Sequence, residues 1–195
     1  METYPTRINA VITCGGNSLR MGESKALLHY HGMPQYKWVL QLCKQLGIDA
    51  AVSCKKAHQE WFDKETILIF DDENLGFNGP MLGLMSSINK LPNRPILLLG
   101  CDYPLLRIED IEQLIQTHET FEQSVAFYSK DSLKYEPLLA IYHPKDFKYL
   151  QEAYQTQQFS LQEFLNKIAA IKIKPAQIQI CKSFDTPEDF LSFPE

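Results

Sequence analysis

Two glycines and two cations at fixed spacing follow the first apolar stretch of this 195-residue chain. Ile8, Ala10, Val11 and Ile12 lead into Thr13-Cys14-Gly15-Gly16, and Arg20 and Lys25 come next. The apolar run reads as a buried strand. Adjacent glycines let the backbone bend sharply and lie close to a ligand, because no Cβ intervenes. Successive N–H groups in such a turn form a concavity that suits an anion. Arg20 offers a planar fork of donors for phosphate oxygens, and Lys25 a mobile point charge. In open α/β sheets, ligands sit beyond the carboxyl ends of the strands, where this loop is expected. A nucleoside triphosphate would use all of these features. A plain glycine turn flanked by two solvated cations is the alternative. The spacing is neither that of a Gly-Lys-Ser/Thr phosphate loop nor that of the three-glycine dinucleotide fingerprint.

A second signal is Ile96-Leu97-Leu98-Leu99-Gly100-Cys101-Asp102-Tyr103-Pro104. A hydrophobic strand here runs into a carboxylate, which is expected near the carboxyl edge of the sheet. Asp102 is a hard oxygen ligand, and Mg²⁺ is commonly held by one or two carboxylates plus substrate phosphates. A turn cap is the other role open to Asp102. An acidic run, Asp71-Asp72-Glu73-Asn74, precedes Gly79-Pro80. By composition alone that run is a solvated loop.

The elements that must position these groups alternate. Strands are predicted at Ile8–Thr13, Ala50–Ser53, Ile67–Phe70, Ile96–Leu99, Val125–Phe127, Leu138–Tyr142 and near Ile171–Ile173. Helices are predicted at Pro34–Leu46, Gly79–Leu91, Ile108–Thr117, around Phe147–Tyr154 and after Ser160, with a short last helix opened by Thr186-Pro187. Strand–helix alternation argues for one α/β domain over residues 1–195, three-layered and Rossmann-like, with a mostly parallel sheet covered on both faces.

Composition narrows the function classes. Hydrophobic residues make up 45%, which suits a folded core. The formal net charge is −5 and no basic stripe stands out, so nucleic acid is not an expected partner. No run of about 18 apolar residues exists, so no membrane span is expected. The first seven residues lack a secretory apolar core. The five cysteines are odd in number and form no Cys-x-x-Cys pair, which suits free thiols in a reducing cytoplasm. The histidines show no metal-ligand spacing, and His29 and His31 read as surface residues.

The opening segment resembles the signature of the molybdenum cofactor guanylyltransferase family, also called molybdopterin-guanine dinucleotide synthases. Gly15, Gly16, Ser18, Arg20, Met21, Gly22 and Lys25 match it in type and order. Thr13, Cys14 and Ser24 stand where the family has leucine, alanine and aspartate. Cys101-Asp102-Tyr103-Pro104, Pro137-Leu138-Leu139-Ala140-Ile141-Tyr142 and Ser183-Phe184-Asp185-Thr186-Pro187-Glu188-Asp189 extend the likeness from about Ile8 to Phe190. Ser183 and Asp185 replace two asparagines of the family pattern.

The resemblance implies a nucleotidyltransferase that moves GMP from GTP to the phosphate of molybdopterin, or of its molybdenum form, and releases pyrophosphate. It implies that Arg20, Lys25 and Asp102 are catalytic. Nucleotide contacts are implied for Thr13, Cys14, Gly15, Gly16, Ser18, Lys25, Ser53, Asp72, Gly79, Pro80 and Asp102. Asp102 and Asp185 are the implied Mg²⁺ ligands, with support of the last helix as the other role for Asp185. Proteins that pass on the acceptor are plausible partners. A cytidylyltransferase using CTP is the nearest enzymatic rival, although Gly15 leans towards guanine. A nucleotide-binding module without turnover is the rival from another class, supported by Ser24.

Overall fold

Four apolar segments pair in parallel: β1 (Asn9–Thr13), β2 (Asp49–Cys54), β3 (Leu68–Phe70) and β4 (Ile96–Gly100). With β5 (Val125–Tyr128), β6 (Tyr135–Tyr142) and β7 (Ile171–Ile173) they form a seven-stranded sheet in the order β3-β2-β1-β4-β6-β5-β7. The computed structural model describes residues 8–14, 24–91, 93–129, 132–184 and 186–193.

Central strands buried on both faces need runs of apolar side chains, and β1 has one at Ala10–Ile12 and β4 at Ile96–Leu99. Ala10 and Ile12 point to one face and Val11 to the other. Leu97 and Leu99 share the first face, and Ile96 and Leu98 the second. The first face is covered by α1 (Gln35–Gln45) and α3 (Ile108–Phe121), through Tyr36, Val39, Leu42, Ile111 and Leu114. The second is covered by α2 (Pro80–Lys90), α4 (Phe147–Gln155) and α5 (Leu161–Lys167), through Met81, Leu84, Leu150, Phe164 and Leu165. The expected three-layer α/β arrangement is therefore present, and element boundaries fall within a few residues of those predicted.

The sheet departs from an all-parallel pattern at β6, which runs antiparallel to both β4 and β5. This strand is also longer than the predicted Leu138–Tyr142, because it begins at Tyr135. Its register against β5 shifts between Ala126 and Tyr128. Pro137 lies in that irregular stretch, where a residue without an N–H is tolerated. The proline hid the strand's start by interrupting the alternation.

The last helix, α6 (Pro187–Leu191), is capped reciprocally by Thr186 and Asp189. It joins a small aromatic cluster in which the Tyr30 ring meets those of Phe184, Phe190 and Phe193 at 5.7, 5.1 and 5.1 Å. His31, expected at the surface, is instead packed: it stacks on Trp38 at 4.0 Å, and its Nε2 donates to the Pro104 carbonyl at 2.8 Å. The Phe184 N–H donates to the Asp102 carbonyl at 2.9 Å. The C-terminal segment thus ties the chain near Lys25 to the chain near Asp102. Among the described residues, no helix is long and apolar enough to cross a membrane.

Candidate functional site

The carboxyl ends of β1, β2 and β4 open into one cavity of about 630 Å³, within the usual range of ligand sites. Thr13 and Cys14 enter it from β1, Ser53 from β2, and Cys101 and Asp102 from the turn after β4. Lys25 enters from a short 3-10 turn (Lys25–Leu27) and Gly79-Pro80 from the start of α2. Seven of the residues expected to contact nucleotide therefore line one space: Thr13, Cys14, Lys25, Ser53, Gly79, Pro80 and Asp102. Gly15, Gly16, Ser18, Arg20 and Asp185 lie outside the described residues.

Lys25 Nζ lies 3.8 Å from Asp102 Oδ2, with the two side chains 18% and 23% exposed. A cation and a carboxylate are thereby held at the mouth of the strands with part of each still open to solvent. Asp102 reaches this position because residue 100 is a glycine. A Cβ there would lie 2.5 Å from Asp102 Oδ1 and 2.9 Å from a ring carbon of Tyr103. Tyr103 is buried and its hydroxyl donates to Glu136 Oε2 at 3.2 Å, so the ring has a fixed partner. Gly100→Ala is accordingly expected to displace Asp102 rather than Tyr103. For the catalytic role expected of Asp102, a shift of about 1 Å would cost about 10²-fold in rate. Turnover measured beside the thermal midpoint checks this, and an unchanged rate would show that the Asp102 position tolerates the methyl group.

The far end of the cavity is built by Ser53 and Asp71, where the Ser53 hydroxyl donates to Asp71 Oδ1 at 2.9 Å. Both face α2 at Gly83, where a Cβ would lie 2.7 Å from Ser53 Oγ. The glycine lets the helix approach these two polar groups closely. Burial pushes the Asp71 carboxyl above its ordinary pKa, opposed by the Ser53 hydrogen bond and by the charges of Lys55 and Lys90. A half-desolvated carboxylate with one side-chain hydroxyl donor is suited to a ligand that brings further N–H donors.

Asp72, the acidic residue expected at the nucleotide, is not brought to this cavity. Its Oδ1 accepts from the backbone N–H and the side-chain amide of Asn74, at 3.2 and 2.9 Å. It caps the 3-10 turn Glu73–Leu75 and borders a separate cavity of about 410 Å³. Its neighbour Asp71 lines the main cavity instead. Strand alternation was the available signal: Ile69 is buried on the α2 face, and the residue two further on shares that face.

Glu136 accepts from the hydroxyl of Tyr103, the residue after Asp102. Burial and the nearby Asp102 charge raise its pKa, while the Tyr103 hydrogen bond opposes them.

Comparison with known proteins agrees with this geometry. The MobA-like NTP transferase domain matches residues 10–171. A protein named probable molybdenum cofactor guanylyltransferase from Bacillus licheniformis is 30% identical over 161 residues, covering 81% of this chain and 80% of that protein. The molybdenum cofactor guanylyltransferase of Yersinia pestis (strain Pestoides F) is 27% identical over 184 residues, covering 93% of this chain and 92% of its own. Among solved structures, molybdopterin-guanine dinucleotide biosynthesis protein A from Archaeoglobus fulgidus superposes with a TM-score of 0.74 at 18% identity, over 94% of this chain and 95% of that one. A cavity at the carboxyl ends of β1, β2 and β4, a family match that runs from β1 to the start of β7, and relatives aligned over most of their length lead to one conclusion: the chain is a nucleotidyltransferase that belongs to the MobA-like NTP transferase family.

Proposed function

We propose that this protein transfers GMP from GTP to the phosphate of molybdopterin or its molybdenum form, in an Mg²⁺-dependent reaction. The observation that carries this reading is that the Lys25–Asp102 and Ser53–Asp71 pairs line one cavity, with β1 between the strands that lead to Ser53 and to Asp102. One end suits phosphates and the other a base rich in N–H donors. Guanine presents its ring N1–H and exocyclic amine side by side, and a carboxylate can accept from both. Cytosine presents only its amine on that edge beside an acceptor nitrogen.

The acceptor phosphate is already anionic, so no side chain has to generate the nucleophile. One of its oxygens attacks the α-phosphorus in line, and the bond from that phosphorus to the leaving pyrophosphate breaks. Lys25 holds a phosphoryl oxygen and stabilises the charge that develops there. Arg20 and the Gly15-Gly16 amides are assigned to the β- and γ-phosphates. Catalysis by these groups is positioning and electrostatics. Among the described residues, no cluster of three or more His, Cys, Asp or Glu forms a metal cage. One partly exposed carboxylate at a phosphate site suits Mg²⁺, which is usually held by one or two carboxylates and substrate oxygens. Asp102 is the ligand assigned here, with Asp185 as a second. When bound, Mg²⁺ would neutralise phosphate charge.

The test is thermal shift with Mg²⁺ and GTP, CTP, ATP or UTP in parallel, on the wild type and Asp71→Asn. A nucleotide at 100 times its dissociation constant stabilises by about 2.7 kcal/mol, or about 5–10 °C for a chain of this length. GTP alone is expected to act on the wild type. A response to CTP alone would replace the guanylyl reading with a cytidylyl one. Asp71→Asn keeps an acceptor for Ser53 but offers the base a neutral group. Preference for GTP over CTP should fall by about 10–100-fold, the range for a charge-assisted hydrogen bond. Without nucleotide, the variant should be the more stable protein at neutral pH, since the wild-type carboxyl has a raised pKa in the fold. That gain should fade as pH falls through the raised folded-state pKa and then the ordinary carboxylate range, below which the wild-type group is protonated whether folded or unfolded.

A further inference from the structure

Three of the five cysteines fall in one row across the sheet. The β1–β2 register pairs Thr13 with Ser53, and the β1–β4 register pairs Thr13 with Gly100. One residue further on, Cys14 therefore stands between Cys54 and Cys101. The ladder continues there, with Cys14 N–H donating to Ser53 O at 2.9 Å and Cys101 N–H to Thr13 O at 3.4 Å. All three side chains join the core on the α1–α3 face. Cys14 and Cys101 sit side by side at the exits of β1 and β4. These two also border the cavity, whereas Cys54 does not. Neighbouring strands lie about 4.8 Å apart, inside the ~4.4–6.8 Å between Cα atoms that a disulfide spans.

We propose that Cys14 and Cys101 are an oxidisable dithiol pair in the wall of the nucleotide cavity, closed to a disulfide by low-molecular-weight disulfides. Cys101 is 8% exposed, Cys14 2% and Cys54 0%, so Cys101 is the thiol of the row that the reagent meets first. Its sulfur attacks one sulfur of the reagent, gives up its proton and releases one thiol. Cys14 then attacks the Cys101 sulfur of the mixed disulfide, gives up its proton and releases the second thiol. The two cysteines are oxidised by two electrons and the reagent is reduced to two thiols. The bond would pin the exit of β1 to the exit of β4, immediately before Asp102. It would therefore oppose any adjustment of that carboxylate when substrate enters.

The experiment uses the full chain and oxidised glutathione. After alkylation without reduction, peptide mapping should find a Cys14–Cys101 linkage, and reduction should remove it. Cys14→Ser should stop at a glutathione adduct on Cys101, and Cys54→Ala should still form the linkage. A Cys14–Cys54 linkage in the wild type, or an adduct on Cys181 with no internal bond, would overturn the proposal. GTP with Mg²⁺ at ten times its dissociation constant should slow closure about tenfold by mass action. This last arm rests on the guanylyl reading: linkage without protection would count against GTP binding in this cavity and leave the dithiol pair standing.

Discussion

Asp102→Asn is expected to lower turnover at saturating nucleotide by about 10²–10³-fold, the usual scale for losing one charge-stabilising group at a reacting centre. The side chain keeps its shape, so neither Gly100 nor Tyr103 has to move. The backbone tie from the Phe184 N–H runs to the Asp102 carbonyl and is untouched. What changes is charge. A neutral amide is a poor ligand for Mg²⁺ and leaves Lys25, 3.8 Å away, without that anion. The ion pair is partly exposed, so its loss should cost little stability. The thermal midpoint should move by no more than about 2–4 °C, which corresponds to roughly 1 kcal/mol for a chain of this size. Measuring pyrophosphate release against Mg²⁺ concentration separates two accounts. A lost metal ligand should raise the Mg²⁺ requirement as well as lower the rate. Full activity at ordinary Mg²⁺ would remove Asp102 from the mechanism.

Hydrophobic pattern carried most of the sheet into view. The Ile96–Leu99 run admits burial on both faces only, and β4 sits at the centre of the sheet. The same logic placed Asp102, because a polar residue just past a buried strand must leave the core at its end. Pattern failed where geometry depends on pairing. The antiparallel direction of β6 follows from its partners on both sides, and Pro137 masked its beginning. Asp71 and Asp72 are adjacent and chemically identical, so composition cannot choose between them. Only the face on which Ile69 is buried decides that Asp71 meets Ser53 and that Asp72 turns to cap Asn74. His31 was misplaced for a related reason. Its packing against Trp38 and Pro104 joins segments 7 and 73 positions apart, and local alternation holds no record of either contact. The row of Cys54, Cys14 and Cys101 is likewise scattered along the chain and becomes a row only once β2, β1 and β4 are in register.

Lys25→Ala should separate catalysis from stability as sharply as Asp102→Asn. The turn that carries Lys25 is anchored by its neighbours: Ala26 is buried at 1% exposure, and the Leu28 carbonyl accepts from Gln35 N–H at 2.9 Å. The lysine side chain instead projects to the cavity and towards Asp102. Removing it deletes a cation where phosphate charge builds up, so turnover should fall by about 10²–10³-fold. The thermal midpoint of the nucleotide-free protein should stay within about 2–4 °C of wild type. Lys25→Arg should restore little, because a planar guanidinium cannot reproduce a compact ammonium at the same place. If the lost function is the charge itself, small alkylammonium ions added to Lys25→Ala should recover part of the rate without changing the midpoint. An insoluble or collapsed Lys25→Ala protein would make the lysine a structural residue. A stable variant with wild-type turnover would show that the transferred phosphate does not pass beside Lys25.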